Sequence, residues 1–172
     1  STFNRMYAES LDGMLDLRRG KLKAATAKFR TAVQATRAAT YTNTRGNAWA
    51  GVLYAAILYE INNLDGAEHL MNVYLPLACD VTLPDHVING HVIRARIAFE
   101  RGDVEKAFET LTELEYLGLR RRLPRIVASA KLERGRLLLL QGDAQASMDE
   151  LERAADPAVW ERLERQRLPA QE

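Results

Sequence analysis

With a single cysteine, Cys79, in 172 residues, the chain can form neither an internal disulfide nor a cysteine-based metal site. His69, His86 and His91 are not spaced three or four residues from one another or from Cys79, which excludes the usual helical zinc pairs. Long apolar runs are missing too, and none approaches the roughly 20 residues that cross a bilayer. The start, Ser1-Thr2-Phe3-Asn4-Arg5, lacks the basic-then-apolar order of a signal peptide. Together with the lone thiol this fits a reducing cytoplasm. There is no excess charge of one sign. A net charge of +1 argues against a chain built mainly to hold nucleic acid. No stretch alternates with period two between turn clusters, so strands are not expected. No Gly-x-Ser-x-Gly motif and no distinct carboxylate pair is present, and the chain is read as not being an enzyme.

What is abundant is helix signal. At 47% hydrophobic and 27% charged residues, the composition is that of a packed globular chain rather than a disordered one. A short pattern recurs: a helix ends in Gly-Asp or its equivalent, and a second helix opens with a small residue followed by a large apolar one. The turns are Arg19-Gly20-Lys21, Asn62-Asn63-Leu64-Asp65, Arg101-Gly102-Asp103 and Gln141-Gly142-Asp143. The small residues after them are Ala25, Ala67, Ala107 and Ser147, at steps of 42, 40 and 40 residues. A fixed period of this size, holding two amphipathic helices, predicts a solenoid of helical hairpins.

The hairpins are expected at about 4–39, 45–80, 85–118 and 125–155, with a terminal helix at about 157–167. The first helix carries Met6, Leu11, Met14, Leu15 and Leu17 on an apolar face opposite Glu9, Asp12 and Asp16. In the linker 40–44, Asn43 or Thr44 suits the N-cap of the next helix. Residues 48–58 are apolar on nearly all sides and should be buried between neighbours. Pro84 and Pro124 open the third and fourth hairpins, Gly118 is expected to close the third, and Asp103 and Asp143 should cap second helices. In the last segment Val159, Trp160 and Leu163 either cap the stack or begin a fifth hairpin. The chain begins without Met and ends within a pattern, so it reads as a piece of something longer.

Within each unit the spacing resembles the tetratricopeptide family: Gly20 is followed by Ala25, Phe29 and Ala32, and Gly13, Ala55, Ala95 and Gly135 occupy the small position seven residues before each turn. The longer period resembles the helical repeat region of MalT-like regulators, the large ATP-dependent members of the LuxR family. Val52-Leu53-Tyr54, Asn63-Leu64-Asp65-Gly66-Ala67-Glu68, Ala95-Arg96-Ile97-Ala98, Arg101-Gly102-Asp103 and Leu123-Pro124-Arg125 carry that likeness. It implies a part that senses an inducer and supports self-association. ATP and promoter DNA would be bound by other domains, since neither a Gly-x-x-x-x-Gly-Lys-Ser/Thr loop nor a basic recognition helix is present.

The resemblance also implies that first helices line a concave groove. Arg96 and Arg136 lie six residues before their turns, where Met14 and Ala56 stand in the earlier units, and would project side by side as a fork for carboxylate or phosphate. Internal pairing is the alternative, Arg96 with Glu100 or Arg136 with Glu133. Arg94 and Arg134 either flank the same groove or bury their stems between helices. Trp49, Asn89 and Ser129 share one groove register, and Tyr59, Phe99 and Leu139 another, with core packing expected for Phe99 and Leu139. Arg96, Arg136, Trp49, Tyr59, Asn89 and Glu100 form the candidate ligand face. Arg120-Arg121-Arg122 with Arg125 is a phosphate contact or a solvated run.

The expected architecture is all-α: a right-handed superhelix of antiparallel helical hairpins with about nine helices. The expected role is signal sensing and protein contact within a bacterial transcription regulator, through a small inducer or a peptide or protein partner. This segment itself would contact neither nucleic acid nor membrane. A free-standing adaptor for peptide tails and a structural spacer are the alternatives.

Overall fold

The computed structural model describes residues 2–38 and 45–155. They form eight helices and no strand: α1 (Thr2–Arg18), α2 (Leu22–Ala38), α3 (Arg45–Glu60), α4 (Leu64–Ala78), α5 (Pro84–Glu100), α6 (Val104–Arg121), α7 (Pro124–Leu140) and α8 (Ala144–Ala155). The sequence pairs them as four hairpins, α1/α2 to α7/α8. The capping expectation for Asn43 or Thr44 and the terminal helix at 157–167 fall outside the described residues.

The four turns share one device. Gly20, Asn62, Gly102 and Gly142 all adopt the left-handed backbone, with φ of 74°, 61°, 81° and 86°. A residue with no Cβ enters this region without steric cost, and asparagine is the side chain that tolerates it best. After three of the four turns the following residue then caps the second helix; after Gly20 it is Lys21, whose side chain carries no acceptor. Asp103 accepts a hydrogen bond from Lys106 N–H at 3.2 Å, and Asp143 one from Ala146 N–H at 3.0 Å. Asn63 does the same for Gly66 N–H at 3.0 Å, a cap the Gly-Asp pattern does not reveal.

The third hairpin closes differently from expectation. Helix α6 runs through Gly118 to Arg121, and Arg122 takes the left-handed position at φ 55°. Gly118 is instead a packing residue, because a Cβ there would lie 2.8 Å from the Val127 backbone nitrogen of α7.

The small positions do what close packing requires. Gly13, Ala55, Ala95 and Gly135 are all buried, and a Cβ on Gly13 would stand 2.4 Å from the Phe29 ring. As its all-round apolarity predicts, most of α3 is buried. Helix α1 is a partial correction: Leu11 and Leu15 of its apolar face are exposed, while Asp16 is buried and accepts from Lys28 at 2.6 Å.

The chain divides into two compact units, Ser1–Ile93 and Arg94–Glu172, with the boundary inside α5. In the first, α3 packs on both α1 and α2. Its core joins Ala25, Phe29 and Ala32 of α2 to Trp49, Ala50, Leu53 and Ile57 of α3, with Tyr7, Met14 and Leu17 of α1 against them. In the second, α7 packs on α6 and α8. Ala95, Ala98, Ala107, Leu111 and Leu137 form its core, with Phe99 and Phe108 packed on.

Candidate functional site

Trp49, in the first unit, is buried and sits between two other rings. Its centroid lies 5.1 Å from Tyr7 and 5.4 Å from His86, at interplanar angles of 42° and 51°. The three come from the first helices of consecutive hairpins, α1, α3 and α5. Tyr7 stands thirteen residues before its turn, as Trp49 does before its own, so the same register builds both. The Trp49 indole N–H has no hydrogen-bond partner among the described residues. A buried donor left unpaired costs about 1–3 kcal/mol, so it stands out against the packed core around it.

Burial disfavours the charged form of His86 and holds its pKa below the ordinary imidazole value; Asp85 opposes this and Arg18 adds to it. The folded state therefore binds a proton less readily than the unfolded chain. Stability from this group is fully present above the unfolded pKa of about 6.5, and is lost as pH falls through the lower folded value. His86→Phe should flatten the decline in melting temperature below about pH 6.5; an unchanged pH profile would show that the imidazole is not the group responsible.

The second unit places its arginines among carboxylates. Glu133, itself buried, accepts two bonds from Arg96: Nε at 2.7 Å and Nη2 at 2.8 Å. It also accepts from Arg136 Nη1 at 3.1 Å. Arg96 and Arg136 thus meet on one carboxylate, and that carboxylate belongs to this chain. Deeper in, Arg134 bridges Glu115 at 2.8 Å and Glu150 at 3.1 Å, and Lys131 also reaches Glu115 at 2.8 Å. Desolvation raises the Glu115 carboxyl, but the Lys131 and Arg134 hydrogen bonds outweigh it and hold the pKa below its ordinary value. Arg94 reaches Glu113 at 3.6 Å.

The remaining sequence candidates fall in both units. Tyr59 is half-buried, while Asn89 and Glu100 are exposed. Trp49, Tyr59 and Asn89 belong to the first unit, and Arg96, Glu100 and Arg136 to the second. Phe99 packs on the core as expected, but Leu139 is exposed. Within the arginine run, Arg122 serves as the left-handed C-cap of α6. One groove had no signal in the sequence reading. It is open, about 640 Å³ in volume, and lined by Phe108, Thr112 and Tyr116 together with Glu105, Glu109 and Glu113.

Paired helices, left-handed turns, small residues at the hairpin crossing and, after three of the turns, a capping side chain define a helical-hairpin repeat domain. The chain belongs to the MalT-like TPR region family, whose pattern matches residues 6–168. It is also 33% identical over 135 residues to the serine/threonine-protein kinase PknK of Mycobacterium tuberculosis (strains CDC 1551 / Oshkosh and H37Rv) and of Mycobacterium bovis. The matched stretch is 78% of this chain but only 12% of those relatives. No described helix is long and apolar enough to cross a membrane.

Proposed function

We propose that the chain is the signal-sensing and protein-interaction region of a larger bacterial regulator of the MalT-like, LuxR class. In this reading it acts by binding rather than by catalysis and works in the cytoplasm. An inducer or partner binds the face of the first helices and biases self-association of the whole regulator, whose ATPase and DNA-binding functions lie in other domains. Such coupling requires the ligand to prefer one conformation of the repeat. The observation that supports the reading is the Tyr7–Trp49–His86 column: apolar ring walls and one unspent N–H donor are what a small carbonyl-bearing ligand uses. The arginine fork is less suited, since Glu133 already fills it.

The likeness to PknK supports a second host, a serine/threonine protein kinase carrying the same repeat as its sensing arm. Phosphoryl transfer by the full-length protein would favour the kinase, and promoter binding the regulator.

The binding reading is tested by a thermal-shift screen of small metabolites, anions and peptides on the wild type and on Trp49→Phe. Ligand at a hundred times Kd adds about 2.7 kcal/mol, a rise of roughly 5–11 °C for a chain of this size. A shift that disappears in Trp49→Phe is the expected result. A shift of equal size in both proteins, or none across the library, would overturn the assignment to this column.

A further inference from the structure

The groove on α6 departs from the repeat that carries it. Its lining residues share the face of α6 opposite the buried Ala107, Leu111 and Leu114. At six and fourteen residues after the turn α6 has Phe108 and Tyr116, where α2 has Thr26 and Gln34, and α4 has Glu68 and Pro76. At three, seven and eleven it has Glu105, Glu109 and Glu113, an acidic set that no other second helix repeats. Phe108 packs on the core of the second unit, while Tyr116 is 64% exposed. Like charges one turn apart weaken a helix, and the helix N-terminus favours only the first of the three glutamates. The row therefore does little for α6 itself. The third hairpin has a described hairpin on each side in the chain, so this face is not an end of the repeat.

Charge and spacing say what the face fits. Its described lining holds three carboxylates and no cation. Arg94 of α5 reaches Glu113 at 3.6 Å, which leaves the face net negative. Among the described residues no acidic group is arranged to hold a metal ion. Four residues of helix rise about 6 Å, so the carboxylates form a row of about 12 Å rather than a cage. Side chains on one side of an extended peptide recur about every 6.6 Å, close to the spacing of that row. Arginine answers both chemistries present: its planar guanidinium pairs with a carboxylate and stacks on an aromatic face such as that of Tyr116.

We propose that the α6 groove docks a partner protein through an extended segment that carries arginine at alternate residues. Successive guanidiniums pair with Glu105, Glu109 and Glu113, and one of them stacks on Tyr116. The surface lies in the second unit and on a second helix, whereas the Tyr7–Trp49–His86 column lies in the first unit on first helices. It therefore goes beyond the inducer reading and does not depend on it.

Fluorescence anisotropy with a labelled acetyl-Arg-Gly-Arg-Gly-Arg peptide tests it. In about 50 mM salt the chain should bind this peptide with a Kd of roughly 10–100 μM, weakening as salt rises. Acetyl-Arg-Arg-Arg-Gly-Gly, of equal charge and composition, should bind at least about threefold more weakly, because its cations miss the row. Glu105→Gln/Glu109→Gln should weaken binding about tenfold and Tyr116→Ala about threefold. All three side chains are exposed, so melting should hold in both variants. Glu9→Gln/Glu60→Gln removes the same charge from exposed sites of the first unit and should leave binding unchanged. No binding below about 1 mM peptide would overturn the proposal. So would equal affinity for the two peptides, an equal loss in the first-unit variant, or full binding by Tyr116→Ala. Spermidine binding as tightly as the peptide would overturn it too, and make the groove a site for small amines.

Discussion

Gly102→Pro is expected to destabilise the protein by at least about 3 kcal/mol, lowering the melting temperature by roughly 6–12 °C. The turn holds φ at 81°, while the proline ring fixes it near −65°, so the native turn is closed to the variant. Proline also removes the Gly102 N–H that donates to Phe99 O at 3.0 Å. It further pushes Arg101 away from the helical backbone whose N–H bonds Ile97 O at 3.1 Å. Beyond the turn stand the Asp103 cap and Ala107 and Leu111 of the core, so the loss reaches the packing between α5 and α6. Gly102→Ala should cost only about 1–2 kcal/mol, the left-handed penalty alone. Asn62→Gly goes the other way: the same turn already pays a side-chain penalty at φ 61°, and its relief should gain a few tenths of a kcal/mol. Urea unfolding of the three variants checks the order. A Gly102→Pro protein as stable as the wild type would contradict the turn geometry.

The turns, the caps and the hairpin period were legible in the sequence because each is local. A left-handed turn needs glycine or asparagine, a cap needs a short acceptor, and both recur at fixed spacing. Asn63 escaped because the expected turn was Gly-Asp, although asparagine caps as well as aspartate. The exposure of Leu11, Leu15 and Leu139 was not legible, since amphipathicity marks an apolar face but not whether a neighbour covers it.

The charged sites were half legible. Arg96 and Arg136 stood out by their shared register, but their common partner did not. A usable signal existed. The position nine before the turn is Leu11, Leu53 and Ile93 in the first three units and Glu133 in the fourth. A carboxylate in an otherwise aliphatic register is a buried charge waiting for a cation. Glu115 offers the same signal: Val33 and Leu75, both buried, precede it at thirteen residues after the turn. Reading deviations from the repeat, rather than the repeat alone, would have found both groups.

Arg96→Ala combined with Arg136→Ala should then cost about 2–4 kcal/mol, not the near-zero expected of arginines lining an open groove. The double change takes three hydrogen bonds from Glu133 and leaves its carboxylate buried on α7 among residues packed on α5. Breaking one side of a buried ion pair typically costs 3–5 kcal/mol; here the half-exposed Arg136 brings the value down. Single changes should rank accordingly. Arg96→Ala, which removes the bidentate pair, carries most of the loss, and Arg136→Ala less than about 1 kcal/mol, as for an exposed pair. The decisive variant adds Glu133→Leu to the double arginine change. Leucine restores the aliphatic residue that the first two units hold at this position, leaves no charge behind, and should recover most of the lost stability. Chemical unfolding of the four proteins reads the cycle directly. Full stability in the double arginine variant would mean that Glu133 needs neither cation, and would return both guanidiniums to the candidate ligand face. Loss followed by recovery in the triple variant would instead fix the cluster as the strut between α5 and α7, leaving the Tyr7–Trp49–His86 column as the site to pursue.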